Sequence, residues 1–306
     1  MKTFRQDLVK FRTLFIFLIP CTVLLILFNY VPMFGIIIAF KDYRISRGFL
    51  GSDWVGFKHF INFFTTPSAF NVVRNTIILN VYGVLWGFWV PIVFAILLCE
   101  LKGEKFRKAV QTVSYLPYFI STVIIASLVN MLLSIDNGPI NVIRTALTGA
   151  EPLNFLVIPK YFRTIYITTN IWSGFGWSAI IYIAAIIGID SQLYEAATVD
   201  GANALRRVWH ITLPGIKNTI IILLLLSIGR LMSSAFELVF LLQKPLTYVV
   251  SDTISTYVYR RGIASASGIP EYSYTTAIGL FQSVVNVILL TTANFLSRKY
   301  SETSLF

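Results

Sequence analysis

The chain has 306 residues, 56% of them hydrophobic and only 13% charged, with a mean hydropathy of +0.73. A soluble domain carries about 25% charged residues, so the composition excludes an ordinary water-soluble domain and points to an all-α polytopic membrane protein. The net charge of +11 sits in short blocks between apolar runs; that excludes a nucleic-acid-binding face and fits anchoring at membrane interfaces.

Spanning a bilayer core of about 30 Å takes about 20 apolar residues as helix. Six segments qualify: roughly 14–40, 75–99, 110–133, 165–189, 216–242 and 274–296. Each must be helical, because a backbone facing lipid has to satisfy its own polar groups. Pro20, Pro32, Pro91 and Pro117 lie in or beside these runs and predict kinks. The first run follows Lys2, Arg5, Lys10 and Arg12. Its uncharged stretch from Thr13 to Phe40 is too long for the apolar core of a signal peptide and shows no small-residue cleavage site, so it reads as an uncleaved span.

After it, Trp54, Phe57, Phe60, Ile61 and Phe64 fall at helical spacing and predict an amphipathic interfacial helix over 50–64, with His59 an interfacial residue on it. Asn137-Gly138-Pro139 predicts a turn and Ile140–Leu147 a short surface helix. Trp86 and Trp89 read as packing residues of the second span. Cys21 and Cys99 lie in separate apolar runs and read as packing residues, not as a disulfide or metal pair.

Lysine and arginine set the orientation. Thirteen lie in the N-terminal segment, the 100–109 loop, the 190–217 region and the C-terminus; eleven lie on the other side, spread over longer loops. The denser side is the cytoplasmic one, which places both termini and residues 190–215 there. The expected plan is a cytoplasmic segment 1–13, a six-helix membrane domain 14–297 containing the 190–215 loop, and a cytoplasmic tail 298–306.

Residues 195–214 read EAATVDGANALRRVWHITLP, a polar and basic stretch between two apolar spans. Asp190-Ser191 predicts a helix N-cap, and Glu195 early in that helix favours its dipole. Gly201 after Asp200 permits a left-handed turn. Ala202–His210 is expected to resume as a second short helix, and Pro214 to start the next long one. Small residues Ala196, Ala197, Ala202 and Ala204 admit a close partner, and Arg206 and Arg207 suit acidic groups on that partner or lipid phosphates.

The order Glu195-Ala196-Ala197, Gly201, Ile211, Leu213 and Pro214 resembles the EAA loop of membrane subunits of binding-protein-dependent ABC importers. Residues 32–60 (PMFGIIIAFKDYRISRGFLGSDWVGFKHF) and 114–121 (SYLPYFIS) are similar to the oligosaccharide and polysaccharide branch of the maltose-type permeases, the LplB-like group. The resemblance implies a type I importer (MetI-like) permease fold with six transmembrane helices, in the plasma membrane of a bacterium, in the shorter branch common in Gram-positive species. It implies a second homologous permease subunit, two copies of an ABC ATPase, and an extracytoplasmic sugar-binding lipoprotein as partners. The implied work is alternating-access import of oligosaccharides. ATP and Mg2+ would sit on the partner ATPase, with no cofactor, metal or catalytic site in this chain. Glu195, Ala196, Ala197, Asp200, Gly201, Arg206, Ile211, Leu213 and Pro214 then form the ATPase-coupling set. The residues agree on the motor: there is no GxxxxGK[ST] motif, and no glycine directly precedes a lysine. Other cargoes, such as glycerol-phosphate or amino-sugar compounds, share the fold and loop. An ATPase-independent channel or secondary transporter is the rival class, and two histidines on opposite sides make a poor enzyme site.

A sugar site needs polar groups and flat rings in an apolar wall. Counted without gaps from Glu195, the resemblance places sugar contacts near Asn170, Ser173, Gly174, Trp177, Ser227, Arg230, Leu231 and Ser234, and Glu237 is expected on the substrate path with them. Asn170, Gly174 and Ser227 match in type. Arg230 and Leu231 replace an aromatic and an amide, and Ser234 is shorter than an amide, which points away from maltose itself. Arg230 and Glu237 are expected on one helix face, about two turns or roughly 10 Å apart. Charges inside a span face an interior or a water-filled cavity. Two readings stand: an ion-pair network with the second subunit, or an Arg230 that reads an anionic sugar through its carboxylate-matching fork.

Overall fold

The computed structural model describes residues 11–233, 235–265 and 269–300. Ser234, residues 1–10 and residues 301–306 therefore lie outside the described residues, and with them one expected path residue and most of both expected cytoplasmic ends. The chain forms two compact units, one comprising the residues through Thr65 with Arg261–Phe281, the other Thr66–Arg260 with Gln282 onward.

In the first unit, α1 (Arg12–Phe40) is a 29-residue apolar helix with no buried residue in its 18-residue spanning stretch, the surface of a helix that meets lipid or another subunit. The expected helix over 50–64 is corrected. Lys41–Asp42 and Asp53–Trp54 pair as an antiparallel ribbon, with a single helical turn at Gly48–Gly51 before the second strand and α2 (Lys58–Thr65) after it. The cause is Phe40, which stacks on Trp54 at 5.8 Å and meets Phe57 edge-on at 5.5 Å. Those contacts draw Trp54 out of helical register. His59 is buried, with Nε2 3.1 Å from the Lys41 carbonyl, so it serves the fold and not the interface.

The second unit is built on α3 (Pro67–Glu100) and α7 (Pro159–Ile187). Both begin before their apolar runs because Pro67 and Pro159 start them, where a missing N–H costs little. Toward the Glu100 end, Ile92, Ala95 and Leu98 pack against Ala179, Tyr182, Ile183 and Ile186, with the fully buried Ile216 completing the cluster. Toward the other end, Leu79, Phe162, Tyr166, Val239 and Leu242 share a second cluster. There the fully buried Asn75 donates to the Val249 and Asp252 carbonyls at 3.0 and 3.2 Å.

Hydropathy predicts the third span as one continuous run, and the structure corrects this. It consists of α4 (Glu104–Phe119) and α5 (Thr122–Leu132), bent by 98°. Pro117 sits in a tight turn at the end of α4, and Ser121 starts α5 by accepting a hydrogen bond from the Ile124 N–H. After the short α6 (Pro139–Thr148) and α7, the 190–215 loop supplies α8 (Ser191–Val199) and α9 (Ala204–Gly215).

The fifth span is also corrected. α10 (Lys217–Ile228) stops short, and α11 (Phe236–Leu242) starts separately. Unwound backbone at membrane depth is tolerated only where protein or a cavity satisfies it. Asn286 of the last helix, α12 (Tyr272–Tyr300), does this. Its Oδ1 accepts from the Met232 N–H at 3.0 Å and its Nδ2 donates to Ser233 Oγ at 2.9 Å, while Gln282 Nε2 lies 3.3 Å from the same hydroxyl. Four described helices are long and apolar enough to cross a membrane, and up to six spans result if α4 with α5, and α10 with the α9 helix that leads into it, each count as one.

Close packing fixes α4 against α7. A Cβ added at Gly176 would lie 2.1 Å from the Ser114 carbonyl oxygen, and backbone cannot yield as a side chain can. Gly176→Ala is therefore expected to force the two helices apart and destabilise the protein by roughly 1–3 kcal/mol, the range for overpacking. A lower thermal midpoint of the purified protein measures it; an unchanged midpoint would mean the contact is slack.

Candidate functional site

One cavity of about 890 Å³ opens between α3, α4–α5, α7 and α10. Of the expected path residues, Asn170, Ser173, Gly174, Trp177, Ser227 and Arg230 all line it. α7 presents Asn170, Ser173 or Gly174, and Trp177 at steps of three, four and seven, which is one helix face. Ser173 Oγ donates to the Asn170 carbonyl at 3.2 Å and Ser227 Oγ to the Leu223 carbonyl at 2.8 Å, so each keeps its oxygen as an acceptor toward the cavity.

The structure adds residues that the count along the chain missed. Tyr118 stacks on Trp177 with ring centres 4.6 Å apart and planes 3° from parallel, and both rings border the cavity. Asn80, Thr122, Ser178 and Ser233 complete the polar lining. The quoted SYLPYFIS segment contained Tyr118, but only the bend after Pro117 turns it toward α7.

Arg230 follows α10 in the unwound stretch. It lines the cavity and is exposed. A cation just past a helix C-terminus is favoured by the carbonyl dipoles there. Among the described residues no carboxylate lies within ion-pair distance of it. Glu237 does not join it: it is an exposed residue on the separate α11 and is absent from the cavity lining. The break between α10 and α11 removes the shared helix face expected of the two residues. Trp86 and Trp89 are exposed and do not line the cavity.

The 190–215 loop folds as two helices around a tight turn. Asp190 caps α8 by accepting from the Gln192 N–H at 2.9 Å. α8 ends in a Schellman motif: Ala202 N–H donates to the Ala197 carbonyl at 2.8 Å and Gly201 N–H to the Thr198 carbonyl at 3.1 Å, with Gly201 left-handed at φ +76°. Asn203 then caps α9 through the Arg206 N–H at 2.9 Å. A hydrogen bond of 2.9 Å between the Tyr194 and Thr212 hydroxyls ties the two helices together.

Glu195, Ala196, Asp200, Gly201 and Arg206 are exposed, while Ala197, Ile211 and Leu213 are half-buried. Leu193, Val199 and Leu205 are also exposed, apolar side chains on the loop that the alanines alone did not reveal. Two expectations are corrected. Pro214 does not start a long helix. It lies in the last turn of α9, which meets α10 at 61°; the non-helical Ile216 breaks the helix, and Gly215 is pressed against Ile189. Arg207 does not await a partner protein, because it pairs with Glu100 at 3.0 Å.

The profile of binding-protein-dependent transport system inner membrane components matches residues 87–302. The chain is 44% identical to the polygalacturonan/rhamnogalacturonan transport system permease protein YteP of Bacillus subtilis, over 98% of this chain and 92% of that protein. It is 41% identical to Protein LplB of the same organism, over 96% and 91%. A bacterial alginate ABC transporter, solved with an alginate pentasaccharide-bound periplasmic protein, contains a chain of the same fold. That chain superposes with a TM-score of 0.88 at 38% identity, covering 98% of this chain and 99% of its own. The chain belongs to the binding-protein-dependent transport system inner membrane components and is a permease subunit of that ABC transporter family.

Proposed function

We propose that this subunit forms half of the conduit of an ATP-driven importer for oligosaccharides, anionic uronate-containing ones in particular. The observation that carries the reading is a cavity holding Arg230, which has no carboxylate partner among the described residues, with Asn170 and the stacked Tyr118–Trp177 rings. A flat aromatic face suits the apolar side of a sugar ring, amides and hydroxyls suit its edge, and a guanidinium suits its carboxylate. Relatives named for polygalacturonan and alginate transport support an acidic cargo.

The 190–215 loop is the docking element for a separate ATPase, which binds the ATP and Mg2+. Its exposed Leu193, Val199 and Leu205 beside small alanines support this role. A second homologous permease, two ATPase copies and an extracytoplasmic binding protein complete the machine, in the plasma membrane of a bacterium of the Gram-positive kind, with both termini and the loop in the cytoplasm. The test is uptake of a radiolabelled oligogalacturonate into vesicles bearing the reconstituted complex. Uptake is expected only with internal ATP, the ATPase and the binding protein. Uptake that persists without the ATPase would make the chain a channel or secondary transporter.

A further inference from the structure

We propose that the ion pair between Glu100 and Arg207 is the strap that makes the loop, α3 and α7 move as one lever. The inference rests on the coupling role assigned to the loop and adds the route by which its motion reaches the cavity.

Glu100 is the last residue of α3, the least favourable end of a helix for a carboxylate, because the unpaired carbonyls there are already negative. An acid in that place needs a cation. Arg207, 107 positions later in the chain, supplies it at 3.0 Å, with the two side chains only 27% and 23% exposed. Partial burial spares the pair much of the solvent screening that weakens surface ion pairs. Neighbouring contacts hold the same ends together. Ile216, just past α9, is fully buried among Ile92, Ala95 and Leu98 of α3 and Ile183 and Ile186 of α7. The Tyr194–Thr212 hydrogen bond braces α8 against α9, so force on α8 is carried to Arg207 and on to Glu100.

The other end of the lever is the cavity. Gly83, Val84, Gly87, Phe88 and Pro91 of α3 all line it. Gly83–Gly87 is a π-turn inside α3, a loosened stretch of helix of the kind found at functional sites. It is flanked by Pro91, which removes a further helix hydrogen bond. A pull at Glu100 therefore bends α3 at Gly83–Gly87 and reshapes the cavity wall, while the α3–α7 block below stays packed. Arg207 and Glu100 are positioning residues; neither lines the cavity.

The test uses the assembled complex with the native cysteines at 21 and 99 replaced by serine and one cysteine placed at Ser173 in the cavity. Labelling of that cysteine by a membrane-impermeant maleimide from outside is measured before and after trapping with ATP and vanadate. Trapping is expected to raise the labelling rate in the strapped protein. Glu100→Arg and Arg207→Glu are each expected to shrink that rise by about fivefold or more, the scale of an allosteric coupling. The exchanged double variant, Glu100→Arg with Arg207→Glu, is expected to recover most of it, because the pair is rebuilt with its ends reversed. Glu100→Gln keeps the shape and is expected to give the same direction more weakly, which guards against misfolding of the reversals. A full rise in the single variants, or no recovery in the double, overturns the strap. A strapped protein that retains no ATPase would instead overturn the coupling role itself.

Discussion

Replacing Arg230 by Gln is expected to weaken uptake of a uronate-containing oligosaccharide roughly 10- to 100-fold, the worth of a hydrogen bond to a charged group at about 1.5–3 kcal/mol. Uptake of a neutral oligosaccharide of the same length should change little. Arg230 sits in the unwound stretch after α10, lining the cavity. No acid among the described residues is near enough to neutralise it. A cation within a membrane span is costly unless water or an anion meets it; facing the cavity, Arg230 is placed to meet an anion on the cargo or on the second permease subunit. Substrate selectivity separates the two. Loss confined to the acidic sugar, seen as a raised KM with little change in maximal rate, identifies the cargo as the anion. Equal loss on both sugars transfers Arg230 to an ion pair with the second subunit. Arg230→Lys should fall between, because an ammonium keeps the charge but not the two parallel donors.

The legibility of this site in the sequence follows from how local each signal is. Asp190 before α8 and Gly201 after it act on backbone groups within a few residues, so the loop was readable as a capped helix, a left-handed glycine and a second short helix, while the Asn203 cap of that second helix is added by the structure. Asn170, Ser173, Gly174 and Trp177 share one face of one helix, and they share one cavity wall. Tyr118 was out of reach because it enters from another helix, across a 98° bend that hydropathy does not register. The break after Ile228 is likewise invisible locally. Its residues remain apolar enough to extend the span, and the groups that make unwinding tolerable, Asn286 and Gln282, lie about fifty positions away. The shared face of Arg230 and Glu237 was lost for that reason: a helical face was extrapolated across a segment that is not a helix. Pro214 misled for a related reason. It can start a helix, but the buried Ile216 and the contact of Gly215 with Ile189 decide where α9 turns into α10.

Substitutions at Gly201 are expected to grade transport by their tolerance of left-handed backbone, not by size. Gly201 sits at φ +76° with nothing within 4 Å of an added Cβ, so sterics with neighbours play no part. The Schellman bonds from Ala202 and Gly201 back to α8 require that φ. A residue other than glycine in this region costs roughly 1–2 kcal/mol, and asparagine is among the few that adopt it readily. Gly201→Asn should therefore retain most ATP-dependent uptake. Gly201→Ala should lose several-fold, and Gly201→Val, β-branched and least able to adopt the turn, should lose about tenfold or more, since each 1.4 kcal/mol is a factor of ten. Because the strain falls on an exposed turn of the loop, the thermal midpoint of the purified subunit should drop by no more than a few degrees across the series while recovery of the ATPase with it declines in the same order. A valine variant that binds ATPase and transports as well as the asparagine variant would show that the turn between α8 and α9 is not what the motor grips. An ordered decline would make the left-handed glycine the point where α8 and α9 are held at the angle the ATPase recognises.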